Sequence, residues 1–105
     1  MKLTLTLKER LVLPSLYPKQ GYLLQQATVK EIAEKTTVTK EEIGEYDLKP
    51  TPTGYKWDEE KAKEKEIEFS LVEVNFLQDQ VSRLDKERNI TQANLDLCLK
   101  IKKLA

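Results

Sequence analysis

The sequence predicts a mainly helical α+β domain: three short helices and a β-hairpin, followed by an antiparallel pair of helices. Three observations lead there. Four times a Ser or Thr precedes a Glu by three residues, at Thr6–Glu9, Thr28–Glu31, Thr39–Glu42 and Ser70–Glu73. Tyr55 and Trp57, then Ile67 and Phe69, alternate with charged residues, the period of a strand with one wet face. Leu71, Val74, Leu77 (or Gln78), Val81 and Leu84 recur at spacings of three and four, the stripe of a long amphipathic helix.

The Ser/Thr-x-x-Glu pattern marks helix starts because it satisfies two orphan backbone donors. The hydroxyl accepts from the N–H three residues on, and the glutamate reaches back to the cap's own N–H. Thr6 therefore opens a first helix over residues 7–13, with Leu7 and Leu11 inward and Val12 or Leu13 widening that face. Ahead of it, Leu3 and Leu5 alternate with Lys2 and Thr4 as in a short strand. Pro14, Pro18 and Gly21 then break the chain. The second helix covers residues 29–35, or begins earlier, near Leu23, with Ile32 and Ala33 inward. After Thr36-Thr37-Val38, Thr39 caps a third helix over residues 40–46, with Ile43 and Tyr46 as its apolar residues.

Pro50, Pro52 and Gly54 end the helical region, and the two alternating stretches are predicted to pair as a hairpin whose charged tip is residues 58–65. Ser70 opens the fourth helix, over residues 71–88, which Asn89 closes. A last helix starts at Thr91, where Asn94 replaces the glutamate and only a simple cap is expected. It shows Leu95, Cys98 or Leu99, and Ile101 or Lys102 to the core. Two helices joined by a short turn form an antiparallel pair. The 105 residues thus read as a single domain, with residues 1–69 as the core and residues 70–105 as a helical hairpin packed on it.

Composition narrows the function. Eighteen basic side chains balance eighteen acidic ones, with a net +3 on residues 1–35, −4 on residues 36–70 and +1 on residues 71–105. Affinity for nucleic acid depends on neutralising phosphates, and no basic excess is present. The chain has no histidine, hence no imidazole for acid–base work or metal ligation. Its one cysteine, Cys98, has no histidine to activate it and reads as a small core hydrophobe. Asp58-Glu59-Glu60 lacks the alternate acids, glycine and distal glutamate of a calcium loop and reads as a solvated tip. Gly21, Gly44 and Gly54 stand too far apart for a phosphate loop. No enzyme activity, cofactor or metal is expected. Early charges at Lys2, Lys8, Glu9 and Arg10 disrupt any signal-peptide apolar region, and no apolar run spans a bilayer, so a cytoplasmic location is the expectation.

The second and third helices, Ile32-Ala33-Glu34-Lys35-Thr36-Thr37-Val38-Thr39-Lys40-Glu41-Glu42-Ile43 within residues 28–46, resemble the helix-turn-helix of bacterial and phage regulators. Ala33 stands where that family has a small residue, Val38 where a hydrophobe follows the turn, and Ile43 where the second helix buries one. With the preceding helix and following hairpin, the order of elements is similar to a winged-helix domain over residues 7–69. The resemblance implies a DNA-binding regulator with Lys30, Lys35 and Lys40 on one face and Lys61, Lys63 and Lys65 on the wing. The chain departs from the family at Thr37, where a glycine is usual, and on the third helix. That helix carries Glu41, Glu42 and Glu45, with Asp47 beyond, where base-reading side chains are usual. Carboxylates there repel a phosphate-lined groove.

The tracts Leu7-Lys8-Glu9-Arg10, Lys65-Glu66-Ile67-Glu68-Phe69 and Leu84-Asp85-Lys86-Glu87 are similar to those of short hypothetical proteins of phages and prophages, a resemblance that implies a source and no mechanism. The reading favoured is a small accessory protein acting on an unidentified protein partner, or on a second copy, through its C-terminal helices. The winged-helix DNA-binding regulator is the alternative. Trp57 with Tyr55 is expected in the core rather than as a base-stacking platform, and an exposed Phe76, off the fourth-helix stripe, would favour an open interaction face.

Overall fold

Three of the four predicted capping boxes form, and they set the helical frame of the computed structural model, which describes residues 1–104. The chain runs β1 (Lys2–Leu5), α1 (Leu7–Val12), a 3-10 turn over Leu13–Leu16, α2 (Leu23–Thr36), α3 (Lys40–Glu45), β2 (Lys49–Thr51), β3 (Gly54–Lys56), β4 (Lys65–Glu68), α4 (Leu71–Lys86) and α5 (Leu95–Lys102). It is a small α+β fold with two antiparallel two-stranded sheets.

Thr6, Thr39 and Ser70 each accept from the N–H three residues on, while Glu9, Glu42 and Glu73 reach back to the cap. Thr28 does not open a helix. It sits inside α2, which starts at the earlier of the two predicted points, and its hydroxyl donates to the Leu24 carbonyl at 2.9 Å. At the last start, Asn94 does more than the simple cap predicted. Its Oδ1 accepts from Thr91 N–H at 2.8 Å while Asn94 N–H donates to Thr91 Oγ1 at 3.3 Å. That reciprocal pair closes the turn before α5, which begins only at Leu95.

The predicted hairpin between the Tyr55–Trp57 and Ile67–Phe69 stretches does not form. β4 instead pairs with β1, in register Leu3↔Ile67 and Leu5↔Lys65, so that Leu3, Leu5 and Ile67 lie on the buried face. Residues 49–56 fold back on themselves, Thr51 opposite Gly54 across a Pro52-Thr53 turn. Gly54 has φ +148°, which side chains rarely adopt, so glycine is required there. Alternation in a sequence reports which face is dry; it does not name the neighbouring strand.

The core gathers Leu3, Leu5, Leu13, Leu16 and Ile32 with Ile67, Phe69, Val74, Leu77, Val81, Leu84, Leu97 and Ile101, drawing on both halves of the chain. Phe76 is buried and widens the α4 stripe. Leu71, predicted in that stripe, is exposed together with Val72. Glu73, next along α4, is buried and bound to Lys35 in the last turn of α2. Among the described residues, none between Ile32 and Ile67 joins this core.

Both outer edges of the β1–β4 sheet are blocked. Met1 and Phe69 exchange two hydrogen bonds, so the alternation of an antiparallel pair turns the Thr4 and Glu68 carbonyls outward. Lys100 of α5 donates to the Thr4 carbonyl and Lys35 of α2 to the Glu68 carbonyl, each at 3.1 Å. An ammonium seated on each rim removes an acceptor that a foreign strand would use.

Candidate functional site

The lysines predicted for a DNA-binding face lie on α2, α3, the β3–β4 connection and β4. Lys35 is engaged: its Nζ lies 2.6 Å from Glu73 Oε1 and 5.8 Å above the Phe69 ring. Lys30 is exposed on α2 and Lys40 on the first turn of α3. The hairpin that follows α3 is β2–β3, and the predicted wing lysines lie beyond it. Lys61 and Lys63 sit on the connection from β3 to β4, Lys61 within 3.9 Å of Asp58, and Lys65 is the first residue of β4.

The third helix differs from its predicted burial. Ile43 is 41% exposed, so it is not the buried anchor that the helix-turn-helix pattern requires; Tyr46, just past the helix, is buried instead. Glu41 and Glu45 face solvent as predicted, but Glu42 turns inward. Its two oxygens accept from Arg10 Nη1 at 2.6 Å and Nη2 at 2.9 Å, and Arg10 also donates to the Thr36 and Thr37 carbonyls, each at 3.0 Å. The Arg10 guanidinium beside it pulls the Glu42 carboxyl down to about 2, against a smaller opposing push from burial, with the Thr39 bonds adding to the fall.

The other two capping glutamates are bound in the same manner. Glu9 Oε1 accepts from Thr6 N–H and from Lys100 Nζ at 2.6 Å; Glu73 Oε1 accepts from Ser70 N–H and from Lys35. For Glu73, burial pushes the carboxyl up, but the Lys35 and Ser70 hydrogen bonds outweigh it and hold it low. These pairings were not predicted from the sequence. The capping boxes located the glutamates, and only the tertiary fold could supply Arg10, Lys35 and Lys100 from sites 32 to 91 residues distant.

Besides the exposed Leu71–Val72 pair, two apolar features lie at the surface. One is a groove of about 400 Å³ between α4 and α5, walled by Val81, Ile90, Leu95 and Leu99. Ser82, Asp85 and Lys102 stand among its polar lining residues, and Leu99 is 44% exposed. Gln78 also lines it, its amide donating to the Ile101 and Leu104 carbonyls and tying α4 to the end of the chain. The other is the start of α2, where Tyr22, Leu23 and Leu24 are 71%, 87% and 65% exposed. Sequence periodicity missed this second feature, because Leu23 and Leu24 read as ordinary helix formers.

Trp57 is half-buried rather than a core residue, in a shallow depression with Leu7 and Lys8, while Tyr55 is exposed. Cys98 is buried, which pushes its thiol up and disfavours the reactive thiolate. Among the described residues no group of three His, Cys, Asp or Glu side chains is placed to hold a metal, and no helix is long and apolar enough to cross a membrane. No protein-family model matches the chain, and neither a characterised protein nor a solved structure is detectably similar to it.

Proposed function

We propose that this chain is a small, non-catalytic interaction protein that docks a protein partner in the groove between α4 and α5. The observation that carries this reading is the groove itself: an open apolar trough walled by Val81, Ile90, Leu95 and Leu99 and edged by polar side chains. Apolar walls with a polar rim are what an amphipathic segment needs, anchor side chains entering while the rim fixes their register. The absence of histidine and the buried, unactivated Cys98 support a binding role over a catalytic one. Exposed Glu41 and Glu45 on α3 favour a protein partner over a nucleic-acid one.

A photo-crosslinking side chain at exposed Ser82, on the groove rim, tests this against the same group at exposed Glu31 on α2. A protein is expected to be trapped from Ser82 and not from Glu31. Equal yields at the two positions, or none at either, would overturn the reading.

A further inference from the structure

We propose that the α4–α5 groove receives the Tyr22-Leu23-Leu24 apex of a second copy of this chain, joining molecules head to tail. This rests on the groove being a docking site and names its occupant. The apex is three consecutive large apolar side chains, all more than half exposed, at the leading end of a fourteen-residue helix. Burying such surface gains about 25 cal/mol per Å², so the same chain carries both an apolar projection and an apolar recess able to take it. None of the residues lining the groove comes from the apex, so the contact joins two different patches and is heterologous.

Charge fits the pairing. From Leu11 to Val29 the chain has one charged residue, Lys19, three positions before Tyr22. Asp85 at the groove has no ion-pair partner among the described residues, while Lys102 also lines it. Lys19 approaching on the Asp85 side, away from Lys102, gives the docked apex one favoured orientation. The neutral amides of Gln20, Gln25 and Gln26 flank the apex and suit the Ser82 and Gln78 rim. Every copy brings one apex and one groove, so the occupant is present in equal amount.

Sedimentation of the intact protein is expected to show a mass that climbs with concentration from 12.2 kDa toward about twice that value or beyond. Leu23→Glu with Leu24→Glu should abolish the climb by spoiling the apex. Leu99→Glu should abolish it by spoiling the groove, and Ser82→Arg provides a second groove variant at an exposed site. All four positions are exposed, so circular dichroism is expected to stay native. The deciding measurement mixes the apex variant with the groove variant: each supplies the half that the other lacks, and a mixed complex is expected although neither associates alone. A strict monomer at every concentration, or no complex in the mixture, would overturn the proposal. If the Ser82 probe still traps a different protein, the docking function stands and only its occupant was wrong.

Discussion

Arg10 is the residue on which most local structure converges. Its guanidinium is fully buried and makes four hydrogen bonds, to the Thr36 and Thr37 carbonyls and to both Glu42 oxygens. Removing one partner of a buried pair strands the other, at a cost of about 3–5 kcal/mol. Arg10→Met is expected to lower the unfolding free energy by roughly 3 kcal/mol, read from a urea titration. Glu42 adds a pH signature. Its folded carboxyl sits at about 2 against an ordinary value of 4.5, so its stabilisation is fully present above pH 4.5 and is lost as pH falls through about 2. The stability gap between the protein and Glu42→Gln should therefore shrink steadily over that window; a gap independent of pH would show that the pair is not made. Arg88 offers a test of opposite sign. It closes α4 at φ 61°, one residue before the predicted closer Asn89, whose N–H bonds the Leu84 carbonyl. Glycine takes this left-handed position without the penalty of a Cβ, so Arg88→Gly should raise stability by roughly 1 kcal/mol.

At the scale of elements, the segment from α3 to the start of β4 stands apart from the rest. α3 buries no residue, β2 and β3 are largely exposed, and none of these elements enters the main core. The segment is held by Arg10 on Glu42, by buried Tyr46 and by half-buried Trp57 beside α1. Regions with few buried apolar contacts open most readily. Amide exchange is expected to be fast over residues 40–56, slow in the buried stripe of α4, and faster still over residues 40–56 in Glu42→Gln with α4 unchanged. Matched rates in α3 and α4 would refute this. The same segment marks where the sequence stopped being informative. Thr6, Thr39 and Ser70 announced their helices because a capping box is a local chemical unit, complete within four residues. Val74, Leu77, Val81 and Leu84 announced the buried stripe of α4 because its period is set by the helix itself. Tyr55 and Trp57 misled because their alternation has no dry face to match, in a hairpin that the Pro52-Thr53-Gly54 turn folds locally. Ile67 found Leu3 because strand pairing is decided by the whole chain. Ile43 and Leu71 had the right spacing for burial and lacked only a neighbour to bury them. Of the groove, Leu95, Leu99 and Val81 were legible as apolar; that they leave a trough open was not, since it depends on how α4 and α5 pack together.

For the whole molecule, net charge and surface distribution bear on function together. Zero net charge and the outward carboxylates of Glu41 and Glu45 on α3 are the features on which a protein partner, rather than nucleic acid, is proposed. No gel shift of duplex DNA is expected even at low salt, and a shift that weakens steeply as salt rises would restore the winged-helix alternative. Cys98 reports on integrity: buried, it should react with a thiol reagent only slowly, and much faster once denaturant opens the core. The three capping glutamates have a further consequence. Glu9, Glu42 and Glu73 each hold the first turn of a helix and, with the same carboxylate, a base from a remote part of the chain. A helix end cannot fray without releasing its long-range tether, nor can the tether slip without loosening the helix. Within each junction, secondary and tertiary signals should therefore be lost together, whichever junction opens first.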